Sequence, residues 1–178
     1  MRKAAINVIK CFKCSDSDEK LIDALLFTIA RDNECEIIIN ELVNYKDWYE
    51  LLAKKSLGSK YINSEWQFAK KIGDCNDCDQ QLIFEFIESD NEYTSRMALS
   101  SLAKLNPEYA EEYAIKFWNR NKYPYGSYED EYQKIMVLSV LEQIKSSKLE
   151  KYLEEALKSN YKFLVMNAEE IVRTLNQK

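Results

Sequence analysis

Apolar residues recur along most of this chain at intervals of three and four, the spacing that lines one face of an α-helix. Leu21, Ile22, Leu25, Leu26 and Ile29 form one such stripe, with Asp16 or Ser17 placed to cap the helix and acidic residues in its first turn. The pattern predicts a second helix over 33–43, with Ile37, Ile38, Leu42 and Val43 on its apolar side. Asp47 then stands as an N-cap for a helix over 48–57, and Gly58 sits where a helix C-cap is expected. A weaker helix is predicted over 65–72, and another over 80–87 with Leu82, Ile83, Phe86 and Ile87 as core positions.

The C-terminal half is more regular. Asn91 caps a helix carrying Met97, Ala98, Leu102 and Leu105, and Asn106-Pro107 ends it and starts the next, since proline is tolerated at the first helical position. That next helix carries Tyr109, Ala110, Tyr113, Ala114, Phe117 and Trp118. A break over 119–127 contains Pro124 and Gly126, and helices are predicted over 128–144, 148–158 and 161–175, with Ser146 and Ser147 in a tight turn.

Composition supports the helical reading. With three glycines and two prolines in 178 residues, the chain lacks the turn residues that hairpins consume. The fold class is therefore all-α, in one domain over 1–178. The net charge of −5 counts against a nucleic-acid partner, which calls for a basic footprint. No run of about 18 uncharged apolar residues occurs, so no membrane span is expected. Lys10 and Lys13 interrupt the apolar run near the start, and no small-residue cleavage site follows, so no signal peptide is read there. The five cysteines are then expected as reduced thiols of a cytoplasmic protein.

An internal repeat is visible. DWYELLAKKSL from Asp47 overlays EYTSRMALSSL from Glu92, matching Trp48 to Tyr93 at a separation of 45 residues, Ala53 to Ala98 and Leu57 to Leu102. A second overlay sets Tyr93 on Tyr132, 39 residues on, with Leu99 on Leu138 and Leu102 on Leu141. Both separations are close to the period of roughly 40–47 residues of HEAT and armadillo arrays. The segment NEYTSRMALSSLAKLNPEYAEEYAIKFW, with Arg96 early in its first helix, then Ala98, Leu102, Leu105 and a turn before a second apolar helix, resembles a HEAT repeat. The resemblance implies a right-handed α-α superhelix, with its clearest repeats at 91–122 and 128–160 and a capping helix over 161–178. It also implies a structural part for Arg96.

Histidine is absent, which removes Ser-His-Asp and Cys-His machinery and histidine-containing zinc sites. Two CxxC pairs remain, Cys11/Cys14 and Cys75/Cys78. Four thiolates suit tetrahedral zinc, but the pairs stand about sixty residues apart, far more than in a common zinc ribbon. Cys11 and Cys14 read as small hydrophobes on an amphipathic helix, and Asp74, Asp77 and Asp79 around the second pair oppose thiolate formation. Neither metal nor cofactor is expected. Acidic pairs such as Glu111-Glu112 and Glu154-Glu155 read as solvated faces, since neighbours on a helix diverge by about 100°.

The most informative segment is the tyrosine-rich break and its flanks. Trp118, Tyr123, Tyr125, Tyr128 and Tyr132, with Glu129 and Asp130, form the candidate partner-binding set, because tyrosine-rich loops on helical scaffolds suit recognition. The expected function is a non-catalytic protein-binding module. Size, acidity and likeness to small bacterial HEAT-like immunity proteins suggest an inhibitor of a basic protein. The alternative is a nucleic-acid-binding protein like the HEAT-like alkylpurine DNA glycosylases, which look like helical stacks with tryptophans over a basic groove. Trp48, Trp66 and Trp118 are its candidates here, without a matching catalytic motif around them.

Overall fold

The computed structural model of the protein describes residues 1–75 and 78–177. The apolar stripes become α1 (Arg2–Cys11), α2 (Glu19–Arg31), α3 (Ile37–Leu42), α4 (Lys46–Ser56), α5 (Ile62–Lys71) and α6 (Leu82–Ile87). They continue as α7 (Glu92–Leu105), α8 (Pro107–Asn119), α9 (Tyr128–Gln143), α10 (Leu149–Leu157) and α11 (Lys162–Leu175). Two 3-10 turns, Cys14–Asp16 and Ile72–Asp74, complete the regular structure, and no strand occurs among the described residues. The chain is all-α, and no helix among the described residues is long and apolar enough to cross a membrane. It divides into two compact units, Met1–Ser101 and Leu102–Lys178, with the division inside α7.

Several local expectations need correction. Asp18, not Asp16 or Ser17, caps α2, its Oδ1 accepting from Leu21 N at 2.8 Å. The helix expected from residue 33 starts at Ile37, because Asp32 to Glu36 form a tight turn in which Glu36 takes a left-handed φ of 52°. Asp47 lies inside α4 rather than capping it. Gly58 stands two residues past the end of α4 with φ 64°, as a helix C′ position favours. Cys14 is not on the helix of Cys11: α1 stops at Cys11, Lys13 is extended, and Cys14 opens a 3-10 turn.

In the first unit α5 packs against α2, α3, α4 and α6. The sequence predicts only a weaker helix here, over 65–72, and Glu65 and Gln67 are polar. Yet every residue from Ser64 to Ala69 is buried. A buried polar group without a partner costs about 1–3 kcal/mol, so this helix needs its polar side chains bonded. Ser64 Oγ donates to Tyr61 O, and Gln67 Nε2 donates to Ile29 O on α2 and to Asn63 O. Glu65 accepts from Ser89 Oγ at 2.5 Å and from Gly58 N at 3.2 Å, joining two loops. Tyr49 of α4 donates its hydroxyl to Phe68 O and sets its ring edge-on to Phe68. Burial also holds the Tyr49 hydroxyl well above its ordinary pKa, so it stays a donor.

In the second unit α9 packs against α8, α10 and α11. Asn106 and Pro107 start α8 as the sequence predicts, with Asn106 Oδ1 accepting from Tyr109 N. Ser127 caps α9 through Asp130 N. The α9–α10 turn is a Schellman motif: Ser146 N donates to Leu141 O and Lys145 N to Glu142 O. Lys145 occupies the C′ position with φ 54°, where glycine is usual. Glu111 of α8 fastens this turn, accepting from Ser146 Oγ at 2.5 Å and pairing with Lys148 at 2.7 Å.

Two outcomes follow. Lys145→Gly relieves a left-handed side-chain backbone and should stabilise the fold by about 0.5–1 kcal/mol in urea denaturation. The second concerns acid. Lys148 first, then Ser146, hold the Glu111 carboxyl below its ordinary value of 4.5, so the unfolded chain binds the proton more readily. The stabilisation is therefore present above that ordinary value and is lost as pH falls through the depressed one. Glu111→Gln should cost about 0.5–1 kcal/mol at pH 7, a small figure because Lys148 is half exposed. The difference from the parent should vanish in strong acid.

Candidate functional site

Residues 120–127 and the starts of α9 and α11 form one structural knot in the second unit. Pro124 O accepts from Ser127 N at 3.0 Å, and Gly126 takes φ 90°, the positive value that the third position of a type II turn requires. Tyr161, just before α11, pins this turn from beneath: its hydroxyl accepts from Gly126 N at 2.8 Å and donates to Asp130 Oδ2. Burial, and then Asp130, push the Tyr161 hydroxyl up to about 12, so it remains a neutral donor. Lys134, one turn along α9, closes the network on Asp130 at 2.5 Å.

The start of α11 has no cap of its own, since the Tyr161 hydroxyl is turned to Gly126 and Asp130 and makes no cap hydrogen bond. Glu131 of α9 supplies one, accepting from Phe163 N at 2.6 Å and Leu164 N at 3.0 Å. This sets the Phe163 ring beside α9. Tyr128 and Tyr132 stack at 6.2 Å with planes 23° apart, and Tyr132 and Phe163 stack at 6.4 Å and 14°. The row faces solvent: Tyr128 is 68% exposed, Tyr132 38% and Phe163 42%, and Met166 is exposed one turn beyond. Tyr125, at the tip of the turn, is 74% exposed and lies against Tyr161.

The expected set of seven residues is thus divided. Tyr125, Tyr128, Glu129 and Tyr132 share the exposed rim. Trp118 does not: it is buried on α8, its Nε1 donating to Glu155 Oε2 and its ring packed on Tyr152. An indole at that helix position fills the joint between α8 and α10. Asp130 is also buried, held by Tyr161, Lys134 and Ser127. Tyr123 is half-buried. Phe163 and Met166 join the surface unannounced, because they read in sequence as ordinary apolar positions of the last helix.

The four cysteines of the two CxxC pairs do not come together. No cluster of three or more metal-ligating side chains occurs among the described residues. Cys11, Cys14 and Cys35 are free thiols. Cys75 and Cys78, expected as free thiols, are joined in a disulfide. Asp77, expected beside them, lies outside the described residues, as does Lys178 of the expected capping segment. Trp48 and Trp66 are buried, Trp48 bonding to Phe12 O and Trp66 packing edge-on to Tyr93. Arg96 folds back on its own helix, pairing with Glu92 at 2.8 Å and lying over the Tyr93 ring. An open cavity of about 560 Å³ lies where α1 ends and α4 begins, lined by Lys10, Phe12, Lys13, Tyr45, Lys46 and Trp48. Lys10 is tied to Glu41 at 2.8 Å.

The geometry makes Glu131 the support of the aromatic row. Glu131→Ala should cost about 1–3 kcal/mol by leaving the Phe163 and Leu164 amides unbonded, and Glu131→Gln, which keeps an acceptor, should recover part of it. Thermal or urea unfolding checks both. Comparison with known proteins gives no relative to set beside this surface: no family model, no curated protein sequence and no solved structure matches the chain.

Proposed function

We propose that this chain is a non-catalytic, HEAT-like helical-repeat module that binds another protein through the Tyr128–Tyr132–Phe163 row. The observation that carries the reading is the exposure of three stacked rings continued by Met166. Rings of this kind add large contact area with little side-chain entropy to lose, and tyrosine, phenylalanine and methionine are enriched where proteins meet. Tyr125 and Glu129 stand at the margin of the row, where a partner's polar groups would meet them. The helix pairs and the overlays at 45 and 39 residues support the repeat reading.

The narrower reading is an inhibitor or immunity protein, cytoplasmic and bacterial, for a basic toxin or nuclease. It draws on the distribution of charge. Residues 1–101 carry eighteen acidic against thirteen basic side chains, and residues 102–178 carry twelve of each. On this reading the acidic part steers a basic partner toward the molecule, while the charge-balanced part supplies an aromatic contact. All three tryptophans are buried, so the stacking platform that the DNA-glycosylase reading needs receives no support from them.

Affinity capture with the tagged chain from its native cells, followed by mass spectrometry, tests the proposal. One protein at stoichiometric yield is expected. The Tyr128→Ala, Tyr132→Ala, Phe163→Ala triple variant should bind it at least about tenfold more weakly, given about 2 kcal/mol for a dominant contact, while unfolding at a similar temperature. Equal capture by that variant, or recovery of nucleic acid alone, sinks the proposal.

A further inference from the structure

We infer that Cys75–Cys78 is a reversible thiol–disulfide site, opened by dithiol reductants and closed by disulfide oxidants. Spacing alone does not form the bond, since Cys11 and Cys14 share the CxxC spacing and stay free. What differs is the placement. Cys75 directly follows the 3-10 turn Ile72–Asp74, its N–H donating to Ile72 O. Just past Cys78, Asp79 N donates to Glu50 Oε1 of α4 at 2.7 Å, and Asp79 Oδ1 accepts from Gln81 N. Both ends of the small ring are therefore held by bonds that do not need the disulfide.

That arrangement distinguishes a switch from a staple. A disulfide stabilises a fold mainly through the length of chain it closes, and this one closes a ring over two residues. Once reduced, the two thiols remain neighbours, so the bond re-forms readily. A monothiol that attacks one sulfur is expelled by the other cysteine. A dithiol completes the reaction by closing its own ring. In balance, the dithiol gives two electrons and two protons, the Cys75–Cys78 bond breaks, two thiols form, and the dithiol becomes a cyclic disulfide. Both cysteines are buried, so attack on a sulfur requires a local opening.

The test uses the full chain, incubated natively with dithiothreitol or with glutathione, then alkylated and weighed intact. Oxidised protein should take three alkyl groups and protein in excess dithiothreitol five, with glutathione at equal thiol concentration leaving three. The Cys75→Ser, Cys78→Ser double variant should take three throughout. Amide hydrogen exchange after reduction should quicken over 72–82 and little elsewhere. Five groups after treatment with oxidised glutathione would overturn the proposal. So would three in excess dithiothreitol, equal opening by glutathione, or faster exchange across all of residues 1–101.

Discussion

Buried carboxylates that close helix starts from a distance are the interaction on which the rest of this structure leans. Short helices joined by tight turns leave many first-turn amides without acceptors, and several starts here lack a capping side chain of their own. Asp32 closes α3 across the turn, accepting from Ile38 N at 2.8 Å while pairing with Arg2 of α1. Glu131 closes α11 from α9. Glu65 does related work for the loop after α4, bonding Gly58 N and Ser89 Oγ. Each carboxylate is buried, so each is anchored only because the amides or hydroxyls it meets are in place. Formation of one helix thus depends on the placement of another.

The same coupling accounts for the two helices at the centres of the units. The polar side chains of α5 are held inside the first unit by Ile29 O, Tyr61 O and Ser89 Oγ, although Gln67 Oε1 is left without a bond. In the second unit, α9 is apolar around much of its circumference because α8, α10 and α11 all pack on it. Its first turn carries Glu129, Asp130 and Glu131, which look alike in sequence. One remains on the surface, one bonds Tyr161 and Lys134, and one caps α11.

From that division comes the surface proposed for binding. Asp130 and Tyr161 hold the turn at 124–127, Glu131 holds Phe163, and the two together leave Tyr125, Tyr128, Tyr132 and Phe163 uncovered on one side. The rings are presented by helices fixed at their starts, which lowers the ordering cost of a contact. The Cys75–Cys78 bond belongs to the other unit.

The sequence by itself determined the all-α class, the order of most helices, the caps at Asn91 and Asn106, and the helix start at Pro107. These are local properties: a stripe at three and four residues, an acceptor one residue before a helix, a ring that presets φ. It also singled out Tyr125, Tyr128 and Tyr132 as surface candidates. Only the tertiary structure decided that Trp118 and Asp130 turn inward, that Phe163 and Met166 turn outward, and that Cys75 meets Cys78 while Cys11 and Cys14 stay apart. For the tryptophan and the carboxylate the physical reason is the same. Whether a tryptophan packs or binds, or a carboxylate is solvated or caps a helix, depends on partners some thirty residues away, and no local pattern records which helix will lie opposite.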